Sequence, residues 1–144
     1  MSGKPYDMLL VEDDLGDAGL VRIALRRGRY NCNLHHVKNG LEALAFLRQI
    51  GTHREAPRPD LILLDLNLPG RSGHEILEEL KTDPALRTIP VVVLSTSEAE
   101  RDIDRAYQLG ANSFVTKPMD VEAIASAIHA IQDYWFGLVR LPAD

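Results

Sequence analysis

The sequence predicts one α/β domain, a doubly wound parallel sheet of five strands with helices on both faces. Three observations carry that expectation. Strand-like and helix-like segments alternate five times, the order that builds right-handed βαβ units. Three of the strand segments are solid aliphatic runs, Met8-Leu9-Leu10-Val11, Leu61-Ile62-Leu63-Leu64 and Val91-Val92-Val93-Leu94, as suits strands covered on both faces. Each run ends in polar residues: Glu12-Asp13-Asp14, Asp65 and Ser95-Thr96-Ser97. Acids and hydroxyls therefore collect at the carboxyl edge of the sheet, where open α/β sheets keep their ligand sites.

The elements follow in order. Residues 7–11 form the first strand. Residues 14–27 form a helix with Ala18, Val21, Ala24 and Leu25 on one face; Gly16 and Gly19 weaken it. Residues 33–37 make a more polar second strand, which suits an edge. Asn39 and Glu42 have capping-box-like spacing and open a helix to about residue 50. Residues 51–58 read as a polar loop. The strand at 61–64 is followed by a turn over 68–73 and a helix over 74–81. After a connector at 83–90 comes the strand at 91–94. Ser97 and Glu100 have capping-box spacing and start a helix that ends at Gly110, a suitable residue just past a helix end. Residues 113–116 are a short fifth strand. Asp120 caps the last helix, whose buried stripe is Ile124, Ile128, Ile131 and Trp135.

The chain has 144 residues, 45% hydrophobic and 26% charged, with a net charge of -5. That is ample for one core, and the acidic balance argues against a nucleic-acid binder. The single cysteine, Cys32, excludes an internal disulfide and suits a reducing compartment. The first residues lack the apolar core of a signal peptide, and no apolar stretch approaches the ~20 residues of a membrane span. The expected location is the cytoplasm. Residues 6–134 are expected to form the domain, with 135–144 an apolar tail and no output domain. Trp135, Phe136, Leu138, Val139 and Leu141 are too apolar for a free terminus, leaving two readings open: packing back on the domain or a homodimer contact.

Glu12, Asp13 and Asp65 are expected to converge, and three carboxylates at one point need a cation or a proton. The donors are all oxygens, so Mg²⁺, or Mn²⁺, is the natural partner. Lys117, before Pro118, brings a positive charge to the same edge, and Ser95 brings a hydroxyl. An aspartate nucleophile, a divalent ion, a lysine and a hydroxyl are the parts needed to make an aspartyl-phosphate.

In this order, Glu12-Asp13, Asp65, Ser95 and Lys117-Pro118, the residues strongly resemble response-regulator receiver domains. The resemblance implies a flavodoxin-like (βα)₅ fold with strand order 2-1-3-4-5. It implies that Asp65 is the phosphoacceptor for a sensor histidine kinase, with Lys117 and Ser95 on the phosphoryl oxygens. It further implies Mg²⁺ on Asp13, Asp65 and the backbone carbonyl of Asn67, with Glu12 acting mainly through a metal-bound water. Ser95 and Phe114 take the switch positions, and the Lys117–Pro118 bond is one that is often cis in this family. The segments Leu-Leu-Val-Glu12-Asp13-Asp14, Ser95-Thr96-Ser97 and Tyr134-Trp135…Leu141-Pro142 resemble the small stand-alone regulators of phytochrome-type kinases. Asp14 stands where such regulators often carry Asn. The implied behaviour is that of a switch, not a metabolic enzyme, whose own chemistry stops at Mg²⁺-dependent self-phosphorylation and autodephosphorylation. Phosphorylation would remodel the face of the fourth helix, fifth strand and fifth helix, a further candidate homodimer surface.

Competing readings are weaker. A haloacid-dehalogenase-type phosphatase needs a second acid two residues after its nucleophile, and Asn67 stands there. A phosphorylation-independent pseudo-receiver has no need of an intact site. A flavodoxin-like cofactor binder would place a nucleotide phosphate against the acids, and Gly70-Arg-Ser-Gly73 is no phosphate loop.

Overall fold

The computed structural model describes residues 4–143. Five strands, β1 (Tyr6–Val11), β2 (Cys32–Val37), β3 (Leu61–Leu64), β4 (Val91–Ser95) and β5 (Ser113–Thr116), form one parallel sheet. Its order is β2-β1-β3-β4-β5, as the resemblance implies. The register sets Val11 beside Val37 and Leu64, Leu64 beside Val93, and Ser95 beside Thr116. The strands therefore end nearly level, and the residues after them share one rim.

The helices are α1 (Leu15–Arg27), α2 (Gly40–Arg48), α3 (Gly73–Thr82), α4 (Glu100–Gln108) and α5 (Val121–Gln132). Alternate residues of the aliphatic strands feed two cores. Met8, Leu10, Leu61, Leu63, Val92 and Leu94 pack under α1 and α5. Leu9, Val11, Ile62, Leu64, Val91 and Val93 pack under α2, α3 and α4. A fully buried aliphatic side chain contributes about 1.5–3 kcal/mol relative to exposure, and these runs are buried along their whole length.

Local signals hold with some corrections. Asp14, Asn39 and Asp120 cap α1, α2 and α5 through their side chains. Glu42 departs from the capping box, because its carboxylate accepts from Lys38 N instead of Asn39 N. The helix after the β3 turn has the true box: Ser72 accepts from Glu75 N, and Glu75 accepts from Ser72 N. Ser97 does not cap α4. That helix starts two residues later than its spacing suggests, behind Ala99, which makes no side-chain cap. Ser97 Oγ is drawn instead to Asp102 Oδ2, at 2.6 Å. Gly110, at φ 108, follows α4 in the conformation expected of it.

The tail folds back. Helix α5 runs straight into a π-helical turn, Asp133–Leu138. Phe136 is buried and stacks on Tyr6 with ring centroids 4.0 Å apart, and the Tyr6 hydroxyl donates to the Phe136 carbonyl. Leu141 packs against the same core, whereas Leu138 is exposed. The α5 stripe extends beyond Ile124, Ile128 and Ile131 to a fully buried Gln132.

Candidate functional site

The rim assembles from four strand ends. Glu12 continues β1: its N–H donates to Val37 O, and its carbonyl takes a 2.6 Å bond from His36 Nε2. Asp65 continues β3, with its N–H on Val11 O, and Lys117 follows β5, with its N–H on Ser95 O. Backbone ladder bonds thus place three charged side chains within reach of one another. Beneath Asp65, a Cβ at Gly73 would run into the Asp65 carbonyl and come within 2.6 Å of Leu66 Cα. Only glycine lets α3 start this close to the acid.

Glu12, Asp13 and Asp65 can each turn one oxygen within 4.8 Å of the others. Glu12 and Asp65 are buried, and Asp13 is exposed. Lys117 Nζ, itself buried, donates to Glu12 Oε1 at 2.7 Å and to Asp17 Oδ2 at 3.0 Å; it stands 3.6 Å from Asp65 Oδ2. Asp65 Oδ1 accepts from Asn67 N at 3.1 Å, so the acid's two oxygens have different surroundings. Ser95 is fully buried at the end of β4, and its Oγ accepts from Ser97 N.

The electrostatics follow from this crowding. Burial pushes the Glu12 carboxyl up to about 7; the nearby Asp65 charge adds to the rise, and the Lys117 hydrogen bond only partly opposes it. Burial alone would lower the Lys117 ammonium, but its bonds to Glu12 and Asp17 and the Asp65 charge hold it above the usual lysine range. Glu12, Asp17 and Asp65 surround the Lys117 ammonium, and Asp13 lies close to Glu12 and Asp65. That excess of oxygen donors and negative charge fits a hard divalent ion, Mg²⁺ or Mn²⁺, at Glu12, Asp13 and Asp65.

The structure gathers Glu12, Asp13, Asp65 and Lys117 at the rim and sets Ser95 at the end of β4, its carbonyl accepting from Lys117 N. Asn67 lies beside them, with its N–H on Asp65. Phe114 sits half-buried on β5, packed against the core under α4. The Lys117–Pro118 bond is trans, the ordinary form even before proline. Two contributors escaped sequence reasoning. Asp17 was hidden as an ordinary acid in the first turn of a helix. His36 was hidden because a histidine on an edge strand carries no signal until its partner is known.

A doubly wound sheet carrying acids, a hydroxyl and a lysine on its carboxyl rim defines a receiver module. The chain belongs to the response regulator receiver domain family, the receiving component of two-component signalling; the family's model matches residues 8–129. Response regulator Rcp1 of Synechocystis sp. is 42% identical over 142 residues, which covers 99% of this chain and 97% of Rcp1. The structure of the phosphorylated cyanobacterial phytochrome response regulator RcpA superposes with a TM-score of 0.93 at 42% identity, covering 97% of this chain and 100% of RcpA. The Mn²⁺-bound form of Rcp1 superposes with a TM-score of 0.91 at 42% identity, covering 96% of this chain and 100% of that one. Among the described residues no helix is long and apolar enough to cross a membrane.

Proposed function

We propose that the chain takes a phosphoryl group onto Asp65 from a sensor histidine kinase of the phytochrome type, and signals the change through protein contacts. The observation that carries this reading is the asymmetry of Asp65. Its Oδ1 accepts from the Asn67 N–H, while Oδ2 faces Lys117 Nζ at 3.6 Å. Oδ2 forms the new P–O bond as the P–N bond to the kinase histidine breaks, and the departing imidazole keeps its electron pair and takes up a proton. Lys117 and Ser95 meet the phosphoryl oxygens. The Asp13 and Asp65 carboxylates and the Asn67 carbonyl would hold a divalent ion, with Glu12 acting mainly through a water bound to it. That ion supplies charge neutralisation between carboxylates and phosphoryl group. The chain's own chemistry stops at self-phosphorylation from small acyl phosphates and hydrolysis of the aspartyl-phosphate.

The output side follows from Ser95. Its Oγ now accepts from Ser97 N, and Ser97 Oγ grips Asp102 in α4. Drawing Ser95 to the phosphoryl group strains that chain of contacts and repositions the start of α4, with Phe114 following. The receiver unit is residues 6–134, and Phe136 and Leu141 of the tail add to its core; residue 144 lies outside the described residues. A groove of about 550 Å³ between β5 and α5, lined by Val115, Ile131, Tyr134 and Trp135 among others, supports self-association on the α4-β5-α5 face. The same reading assigns the chain to the cytoplasm, with protein rather than nucleic acid as its target.

The test is incubation with acetyl phosphate, with and without Mg²⁺, read by intact mass. Wild type should gain one phosphoryl group only with Mg²⁺, and Asp65→Asn none. Equal labelling of Asp65→Asn would refute the assignment.

A further inference from the structure

The three carboxylates around Lys117 are unequal. Glu12 Oε1 lies at 2.7 Å and Asp17 Oδ2 at 3.0 Å, whereas Asp65 Oδ2 lies at 3.6 Å, beyond a hydrogen bond. Two of the three ammonium protons are therefore committed away from the acid that must react. Glu12 is sealed, with only 4% of its side chain exposed, but the Asp17 side chain is 34% exposed. Water can replace the ammonium at Asp17 readily, as it cannot at Glu12. Nor is Asp17 needed for capping through its side chain: only its backbone N–H serves the α1 cap, on Asp14 Oδ1. It also stands outside the group of three acids that can share one cation.

We propose that Asp17 is the resting counter-ion of Lys117, a positioning residue that holds the ammonium towards α1 and so lowers the affinity of the site for a phosphoryl group. The inference rests on the reading of Asp65 as phosphoacceptor. A phosphoryl group on Asp65 brings negatively charged oxygens to Lys117, and the ammonium must leave Asp17 to meet them. Asp17 opposes that step twice, by competing for the lysine and by repelling the anion. Towards a divalent cation its effect has the other sign. It adds attraction and keeps the lysine charge away from Asp65. Neutralising Asp17 therefore tightens the phosphoryl ligand and weakens the metal, whereas mere structural damage would weaken both.

The experiment uses the full chain as wild type, Asp17→Asn, Asp17→Ser and Asp17→Glu. Mg²⁺ alone is titrated by calorimetry, and beryllofluoride at saturating Mg²⁺ by fluorine NMR. Asp17→Asn should bind beryllofluoride about two- to fivefold tighter and Mg²⁺ more weakly by a similar factor, the range of a partly exposed ion pair. Asp17→Ser should behave like Asn, and Asp17→Glu should return both affinities towards wild type. Wild type that binds beryllofluoride, with Asn and Ser variants that bind it no tighter, overturns the role of Asp17 alone. Wild type that binds none with Mg²⁺ present overturns the phosphoacceptor reading itself, and the role of Asp17 with it.

Discussion

Glu12→Gln isolates what the buried carboxyl costs the metal-free protein. In the folded chain Glu12 is raised from 4.5 to about 7, burial being the largest cause. A raised acid binds its proton more tightly folded than unfolded. Its contribution to stability is therefore fully present below 4.5, the unfolded value, and is lost as pH climbs to about 7. At 1.36 kcal/mol per pH decade the whole loss is at most about 3 kcal/mol, and about 2 kcal/mol of it falls between pH 5.5 and 8. Gln cannot ionise, so Glu12→Gln lacks this term. In EDTA the Tm of wild type should fall relative to Glu12→Gln by about 6 °C from pH 5.5 to 8, at about 3 °C per kcal/mol for a chain of this size. Saturating Mg²⁺ at pH 8 should recover much of the wild-type loss, because binding to the folded state alone stabilises it. Parallel Tm curves for the two proteins in EDTA would refute the claim that burial strains this acid.

Three further outcomes follow from particular contacts. Lys117→Met should destabilise the metal-free protein, but by less than the 3–5 kcal/mol of an orphaned buried charge, because Glu12 can take up a proton; a larger loss in urea unfolding at neutral pH would contradict this. Gly73→Ala should cost about 1–3 kcal/mol by driving a methyl group into the Asp65 and Leu66 backbone. It should also slow labelling by acetyl phosphate, and unchanged stability and labelling would count against the packing argument. Phe136→Ala should cost about 3 kcal/mol, since the ring is buried and stacked on Tyr6; a variant as stable as wild type would mean the tail is not part of the core.

The sheet was readable because its signal is strong and local. Aliphatic runs such as Leu61–Leu64 leave few alternatives once acids and Pro-Gly bound them, and the position of Asp65, Ser95 and Lys117 at their strand ends follows from the chain itself. Contacts between elements were less readable. Ser97 has the spacing of a cap, yet a hydroxyl bonds whichever partner folding brings near, here Asp102. Ser72 and Glu75 had the same spacing and do form the box, so spacing alone could not separate the two. Asp17 acquires its meaning only from a lysine 100 residues away. The tail resisted reading because a π-helical turn has no simple hydrophobic period, and Gln132 because a polar residue gives no sign of burial at the end of a helix.

The central claim is that Asp65 carries the phosphoryl group. The most direct measurement is borohydride reduction of the acetyl-phosphate-treated, Mg²⁺-loaded protein, which converts an aspartyl-phosphate to homoserine, followed by peptide mass spectrometry. Homoserine at position 65, and only with Mg²⁺ present, is the expected result. Homoserine at position 13, or no reduced residue in a folded protein, would contradict the account.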